Sequence, residues 1–137
     1  MISVLFDTNI ILDVALNREP FIHEAERLFS MVDDGQITGF ITASTLTDIY
    51  YIYKKTNGHY DAITFISQLL EIFEVAGIDK NVLLMAISFE FKDFEDAIQS
   101  AAANSVEAEI IITRNKADFV KSNVPAYTPT EFLIGFR

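Results

Sequence analysis

Four positions in this sequence place carboxylate chemistry beside turns or helix starts: Asp7, Asp48, Asp96, and the close pair Asn115 and Asp118. Asp7 ends a short apolar run and stands directly before a helical pattern, where open α/β sheets bind ligands. Carboxylates gathered at one site repel, and at an effective dielectric near 20 one pair at 4 Å costs about 4 kcal/mol. A fold keeps such a group only if protons or cations neutralise it. With no Cys and only two His in the chain, ligation by oxygen points to Mg²⁺ or Mn²⁺ rather than zinc. Two such ions roughly 3.5–4 Å apart can activate a water and stabilise the leaving oxygen of a phosphodiester. Each acid also has an ordinary role open to it. Asp7 and Asp118 can cap helices, Asp48 can favour a helix dipole, and Asp96 can face solvent.

The elements that must position these acids can be read from the hydrophobic pattern. Ile2, Val4, Leu5 and Phe6 form a run that is apolar on both faces, as in a buried strand of a parallel sheet, and it stops at Asp7-Thr8-Asn9. Helical spacing resumes at Ile10, Ile11, Val14 and Ala15. After a turn over 17–20, the residues Ile22, Ala25, Leu28, Phe29 and Val32 define an amphipathic helix that ends at Asp34-Gly35. A second strand is expected over 37–41. A helix capped by Thr42 or Ser44 follows, running to about Thr56 and closed by Asn57-Gly58. Asp48 borders its apolar face.

A helix over 60–74, a short strand within 73–78 and an apolar helix over 81–91 come next. The small-residue helix over 94–105 carries Asp96, with Asp93 three residues before it and Ser100 one turn beyond. Because Asp is a poor helix former, its place in this helix asks for a reason. The run EIIIT over 109–113 is the clearest strand, and it leads straight into Arg114-Asn115. A last short strand is expected at Tyr127, and Thr130 is expected to cap a final helix. Strands alternating with helices make this one α/β domain over 1–137, with three α/β/α layers around a mainly parallel sheet. Asp7 and Asn115 or Asp118 then follow strand ends on one sheet edge, and Asp48 and Asp96 can converge there.

Composition narrows the function classes. The net charge is −10, from 20 acidic and 10 basic residues, which argues against a broad basic nucleic-acid surface. A nuclease is compatible only if its acids are concentrated in a metal site, where bound carboxylates no longer repel phosphate. Half of the residues are hydrophobic and twelve are Phe, rich enough to imply an apolar surface that meets a partner. The absence of Cys and of a signal-peptide pattern fits an intracellular, cytoplasmic protein, and no apolar run approaches the roughly 20 residues needed to span a bilayer.

Taken together, DTNIILD after the first strand, STLTDIYYI on the third helix, DFEDAIQSAAA on the small-residue helix and IITRNKADF near the end resemble a PIN domain, the ribonuclease fold that includes VapC-type toxins. The resemblance covers nearly the whole chain. It implies that Asp7, Asp48 and Asp96 are the family's first three acids and that Asn9 belongs to its polar triplet. Two positions depart from the family's pattern. The second acid is more often Glu than Asp48, and the fourth acid is Asn115 here, with Asp118 as its replacement. The resemblance further implies an RNA substrate, a homodimer and, for a toxin, a small antitoxin protein that blocks the site.

On this reading the chain is a Mg²⁺- or Mn²⁺-dependent endoribonuclease, a hydrolase using water as nucleophile. Thr8, Asn9, Ser44, Thr113 and Asn115 are expected to orient the ligating carboxylates or their waters, or to act as caps. Arg114, Lys116, Lys54, Lys55 and Lys121 are candidates for phosphate contacts, although Lys54 and Lys55 also suit a helix C-terminus. Asp13, Asp93, His23 and His59 are expected near the surface or behind the ligands. Tyr50, Tyr51 and Tyr53 are expected in the core or an interface. A rival reading is a non-catalytic PIN-like binding module with a degenerate metal site. Another is a phosphotransferase using Asp7 as nucleophile, which commonly wants an Asp where Asn9 stands. A Rossmann nucleotide binder is disfavoured because the first turn has no Gly-rich loop.

Overall fold

In the computed structural model, which describes residues 1–135, the first apolar run forms the central strand β1 (Ser3–Phe6). Val4, Leu5 and Phe6 are fully buried. A strand covered on both faces reads as an unbroken apolar run, which explains the absence of alternation here. The chain continues through α1 (Thr8–Ala15), α2 (Phe21–Asp33), β2 (Thr38–Thr42), α3 (Ala43–Ile72), β3 (Glu74–Ala76), α4 (Lys80–Ser88), α5 (Phe94–Ser105) and β4 (Ile110–Ile112). A 3₁₀ turn (Lys116–Phe119), β5 (Ala126–Tyr127) and α6 (Pro129–Gly135) complete it.

The five strands are ordered β3-β2-β1-β4-β5 and every pairing is parallel. The chain builds outward from β1 through β2 to β3, then crosses back to lay β4 on the other side of β1. The order therefore reverses between β1 and β4, where open parallel sheets leave a crevice at the carboxyl ends of the strands. Leu5 pairs with Ile111 and Phe6 with Ile112, so these two strands end side by side.

Strand alternation divides the core into two. Val4, Phe6 and Ile112 face one layer, with Ile10, Ile11, Leu28, Ile49 and Phe132 from the helices. Leu5 and Ile111 face the other, against Val82, Ala97, Ala101, Ala102 and Ala103. The alanines of α5 let that helix lie close to the sheet. This is the three-layer α/β/α arrangement expected.

Three local expectations are corrected. The helices expected on either side of Asn57-Gly58 form one run, α3, in which Gly58 (φ 84°, ψ 170°) departs from helical geometry. Only Gly adopts that backbone without steric cost, so the break expected there survives as a kink. The helix expected over 81–91 stops at Ser88. The cap of α6 is Thr128, not Thr130: the Thr128 hydroxyl accepts the Glu131 N–H at 3.1 Å while the Glu131 carboxylate accepts the Thr128 N–H at 2.9 Å. This is a reciprocal capping box, and Thr130 instead donates its hydroxyl to Glu24.

Gly39 on β2 has a steric reason. A Cβ there would lie 2.8 Å from a Val32 methyl and 2.9 Å from the Phe73 ring. Both neighbours are buried, and Phe73 packs edge-on to Phe6 (5.2 Å) and Phe29 (5.1 Å), so neither has room to retreat. Gly39→Ala should destabilise the protein by about 1–3 kcal/mol through overpacking. Urea denaturation checks this, and a variant as stable as the wild type would show that the aromatic cluster yields freely.

Candidate functional site

Asp7 occupies the first position after β1, and its backbone N–H extends the sheet ladder to the Ile112 carbonyl at 2.9 Å. Its carboxylate is fixed from two sides. Oδ1 accepts the Thr8 N–H at 2.8 Å, and Oδ2 accepts the Thr113 hydroxyl at 2.8 Å. Asp7 is therefore the cap of α1, and it also points a nearly buried carboxylate (8% exposed) at the end of the sheet. Each oxygen keeps lone-pair capacity for one more partner. With both oxygens engaged at a buried wall, Asp7 is poorly disposed to attack as a nucleophile.

The other acids arrive on separate elements. Thr42 caps α3 by accepting the Thr45 N–H, and Asp48 follows about one turn later. Asp93 caps α5 by accepting the Asp96 N–H at 3.1 Å. Asp96 lies in the first helical turn, where an acid is ordinary, so its placement needs no propensity argument. The Asp118 N–H donates to the Asn115 carbonyl at 3.0 Å, closing the 3₁₀ turn that carries both residues. Asp7, Thr8, Asn9, Asp48, Asp96, Asn115 and Asp118 line one cleft of about 200 Å³, joined by Glu95 and Gln99.

Glu95 and Gln99 were missed by sequence reading, which looked from Asp96 to Ser100. Their i,i+4 spacing was the available signal, because it sets Glu95 and Gln99 on one face of α5 beside Asp96. Ser100 is instead buried against the Ser122 hydroxyl at 2.6 Å. The Gln99 amide Nε2 donates to the hydroxyls of Thr42 and Thr45, both at 3.1 Å, and the Thr45 hydroxyl meets that of Thr8 at 2.8 Å. This polar layer ties α1, α3 and α5 together beneath the acids. Ser44 belongs to it through Thr42 and touches no carboxylate in this arrangement.

Electrostatics at the cleft follow from burial and repulsion. Burial raises Asp7 above its ordinary carboxyl value, against the lowering by Thr113 and Thr8. Asp48 is raised by burial alone. Asp96 is pushed up to about 7, by burial first and then by the charges of Asp93, Asp7, Asp118 and Glu95. A helix N-terminus favours the carboxylate form, so desolvation and like charge outweigh the dipole at this position.

The donor set fits a hard divalent cation. The carboxylates of Asp7, Asp48, Asp96 and Asp118 offer oxygen, as do the amides of Asn115 and Gln99. Gln99 Oε1 is buried without a hydrogen-bond partner, an acceptor left open in a cleft that is otherwise short of positive charge. The carboxylates surround the cleft and do not close on a point: among the described residues, no three His, Asp or Glu side chains form a ready metal cage.

Several expected roles change. Asp13 is not a surface acid; it is 1% exposed and holds Arg114 through two hydrogen bonds, Nε to Oδ2 at 2.9 Å and Nη2 to Oδ1 at 3.2 Å. Arg18 approaches the same carboxylate at 3.7 Å and reaches Asn9 Oδ1 at 3.5 Å. The Arg114 guanidinium also stacks over the Phe21 ring at 3.9 Å, so the group is held in one orientation by Asp13 and Phe21 together. Lys116 pairs with Glu131 at the surface and Lys54 lies over the Tyr50 ring, neither of them lining the cleft. His23 pairs with Glu19, and the Tyr50 hydroxyl meets His59 at 2.8 Å. Tyr51 is exposed rather than core.

Residues 3–117 match the family model of the PIN domain. Ribonuclease VapC1 of Aquifex aeolicus (strain VF5) is 23% identical over 135 residues, covering 95% of this chain and 92% of that protein. The fold is similar to a toxin-antitoxin complex from Klebsiella pneumoniae, with TM-score 0.71, 27% identity, and 93% of this chain and 98% of that one covered. It is also similar to VapBC2 of Rickettsia felis bound to a DNA fragment from their promoter, with TM-score 0.69, 13% identity, and 93% and 98% covered. A third solved relative is VapC20 of Mycobacterium tuberculosis, a sarcin-ricin loop cleaving toxin, with TM-score 0.63, 14% identity, and 80% and 87% covered.

Two outcomes follow from the charges just described. An unfolded Asp titrates near 3.8 and Asp96 in the folded chain near 7, so the folded state holds more protons between those values. Stability then falls as pH climbs from about 4 to about 7. In chelator, Asp96→Asn should melt with the wild type near pH 4 and above it at pH 8. Equal melting differences at both pH values would remove the electrostatic account. Arg114→Ala leaves Asp13 buried with only the longer Arg18 contact and should cost about 3 kcal/mol in urea denaturation, whereas replacing both partners by apolar residues should recover most of the loss.

Proposed function

The chain belongs to the PIN-domain family, and we propose that it is a metal-dependent endoribonuclease of the VapC type, the toxin of a toxin–antitoxin pair. The observation that carries this reading is the cleft itself. Four Asp from four separate elements, with Asn115 among them, face one space where the strand order of a parallel sheet reverses. The similarity to ribonuclease VapC1 and to a toxin-antitoxin complex at 27% identity supports the choice of RNA and of an antitoxin.

Asp7, Asp96, Asp48 and Asp118 would hold Mg²⁺ or Mn²⁺. Such an ion, when bound, supplies positive charge for the phosphate and lowers the pKa of a bound water. The chain's own part is positioning and proton transfer. Thr113 and the Thr8 N–H lock the Asp7 carboxylate in one orientation, and the hydroxyls of Thr42 and Thr45 hold Gln99. A cleft carboxylate accepts the proton of the attacking water. Attack breaks the phosphodiester, and the leaving oxygen takes a proton from solvent, so no covalent enzyme intermediate is required.

Partner surfaces are supported by exposed apolar side chains. Tyr51, Tyr60, Ile63 and Leu70 lie exposed along α3, and Leu84 and Ile87 along α4. A homodimer and an antitoxin interface would cover such residues. No helix among the described residues is long and apolar enough to cross a membrane, and a cytoplasmic location suits an RNA substrate.

Asn115 keeps a carbonyl oxygen but adds no charge, whereas Asp118 supplies one from three residues further along the same turn. Asp7→Asn and Asp96→Asn should each lower Mn²⁺-dependent RNA cleavage by more than about 100-fold, beyond what losing an outer hydrogen-bond partner costs. Asp118→Ala should lower it more than Asn115→Ala does, and Asn115→Asp should preserve or raise it. Chelator should stop the reaction and Mg²⁺ or Mn²⁺ restore it. Cleavage by Asp7→Asn at the wild-type rate would defeat the proposal. A wild type that neither cuts RNA nor binds Mn²⁺ by calorimetry would favour the non-catalytic module.

A further inference from the structure

Beside the acid cleft lies a second cavity of about 290 Å³, close to the roughly 300 Å³ at which small-ligand pockets begin. Asp96 and Asp118 line both spaces, so the two are neighbours across those carboxylates. The character of the second space is different. Phe91, Val120, Lys92 and Lys121 contribute apolar surface and two ammonium groups, set against the carboxylates of Asp93, Asp96 and Asp118, the last two shared with the cleft. Resting on the ribonuclease reading, we propose that this cavity is a nucleotide subsite, which seats one unpaired nucleotide of a single-stranded or looped RNA next to the scissile phosphate.

Charge is the first argument. The chain carries −10 with ten basic residues. Arg114 and Arg18 are spent on Asp13, Lys116 meets Glu131, and Lys54 lies over Tyr50. Lys92 and Lys121, in contrast, line a space that touches the acids themselves. Lys121 Nζ donates to the Glu90 carbonyl at 2.9 Å, a neutral acceptor that orients the ammonium and leaves its charge in place. A polyanion passing over the acid cleft would find its compensating cations here.

Surface chemistry is the second. Val120 is 78% exposed, an apolar side chain set on the cavity wall with no core to enter. Phe91 is half-buried and steadied edge-on by Phe119 at 6.4 Å. An aromatic and an aliphatic wall flanked by two ammonium groups suit a base with its phosphate, and recognition of this kind tolerates any base that is out of the helical stack.

The test uses the full-length chain and a short single-stranded RNA carrying fluorescein. Anisotropy is read in Ca²⁺, which neutralises the carboxylates. Val120→Asp should weaken binding by about fivefold, the size of the repulsion between like charges about 4 Å apart in water. Lys92→Gln should flatten the log–log salt dependence by about 0.7, the share of one phosphate contact on a single strand. Photocrosslinking with 4-thiouridine in the same RNA should label peptides containing Phe91 or Val120. If the wild type binds and cuts RNA while both variants bind as it does and crosslinks map elsewhere, the subsite is overturned and the ribonuclease reading stands. If the wild type neither binds nor cuts single-stranded RNA, both fall together.

Discussion

The pairing of β1 with β4 is the constraint on which the cleft depends. These strands meet where the sheet's order reverses, and their last paired residues, Phe6 and Ile112, bring Asp7 and Thr113 to the same level. One backbone hydrogen bond and one hydroxyl–carboxylate bond then join the two strand ends. A slip of one residue in this register would turn Phe6 and Leu5 to the wrong faces, so the two apolar cores enforce it. The geometry at the cleft is thus a by-product of how the sheet buries its side chains.

Against that constraint stands the repulsion of the acids. The fold answers it in two ways. It takes the four Asp carboxylates from different elements, with Glu95 alone sharing α5 with Asp96, which spreads the charges around a space instead of stacking them. It also anchors the supporting groups behind them, through the Thr8–Thr45–Thr42–Gln99 layer on one side and the Asp13–Arg114 pair on the other. That pair is buried at Asp13 and ties the Arg114 guanidinium to a carboxylate outside the cleft, although its charge still acts to lower the Asp7 pKa. Among the described residues none that lines the cleft is basic, and the segment leading to Asn115 is held to α1.

Much of this was legible in the sequence because it is written in local patterns. The apolar runs of β1 and EIIIT and the alanines of α5 are each contained in one short stretch, and α5 spans the residues expected. The acids Asp7, Asp48, Asp96 and Asp118 could be singled out because strand ends and helix starts share one edge of a parallel sheet. What could not be read were pairings between distant residues. Nothing local marks Asp13 as the partner of Arg114, 101 positions away. Choosing Ser100 over Gln99 was a matter of helical phase: a difference of one residue turns a side chain by about 100°, and only the packing of α5 on the sheet decides which turn faces the acids. Thr128 was passed over for Thr130 although the Thr-x-x-Glu spacing to Glu131 was present in the sequence.

The kink at Gly58 carries a mechanical meaning. Before it, α3 is pinned by its Thr42 cap and buried Ile49 and bears Asp48; after it, the same helix presents Tyr60, Ile63 and Leu70 to the outside. A straight rod of that length would act as a lever, converting any tilt at its far end into displacement of Asp48. A joint in the middle breaks the lever. The outer half is seated on the core by its own anchors, Ala62 and Leu69, so its exposed residues can drift in sequence while the carboxylate at the inner half keeps its place over the sheet.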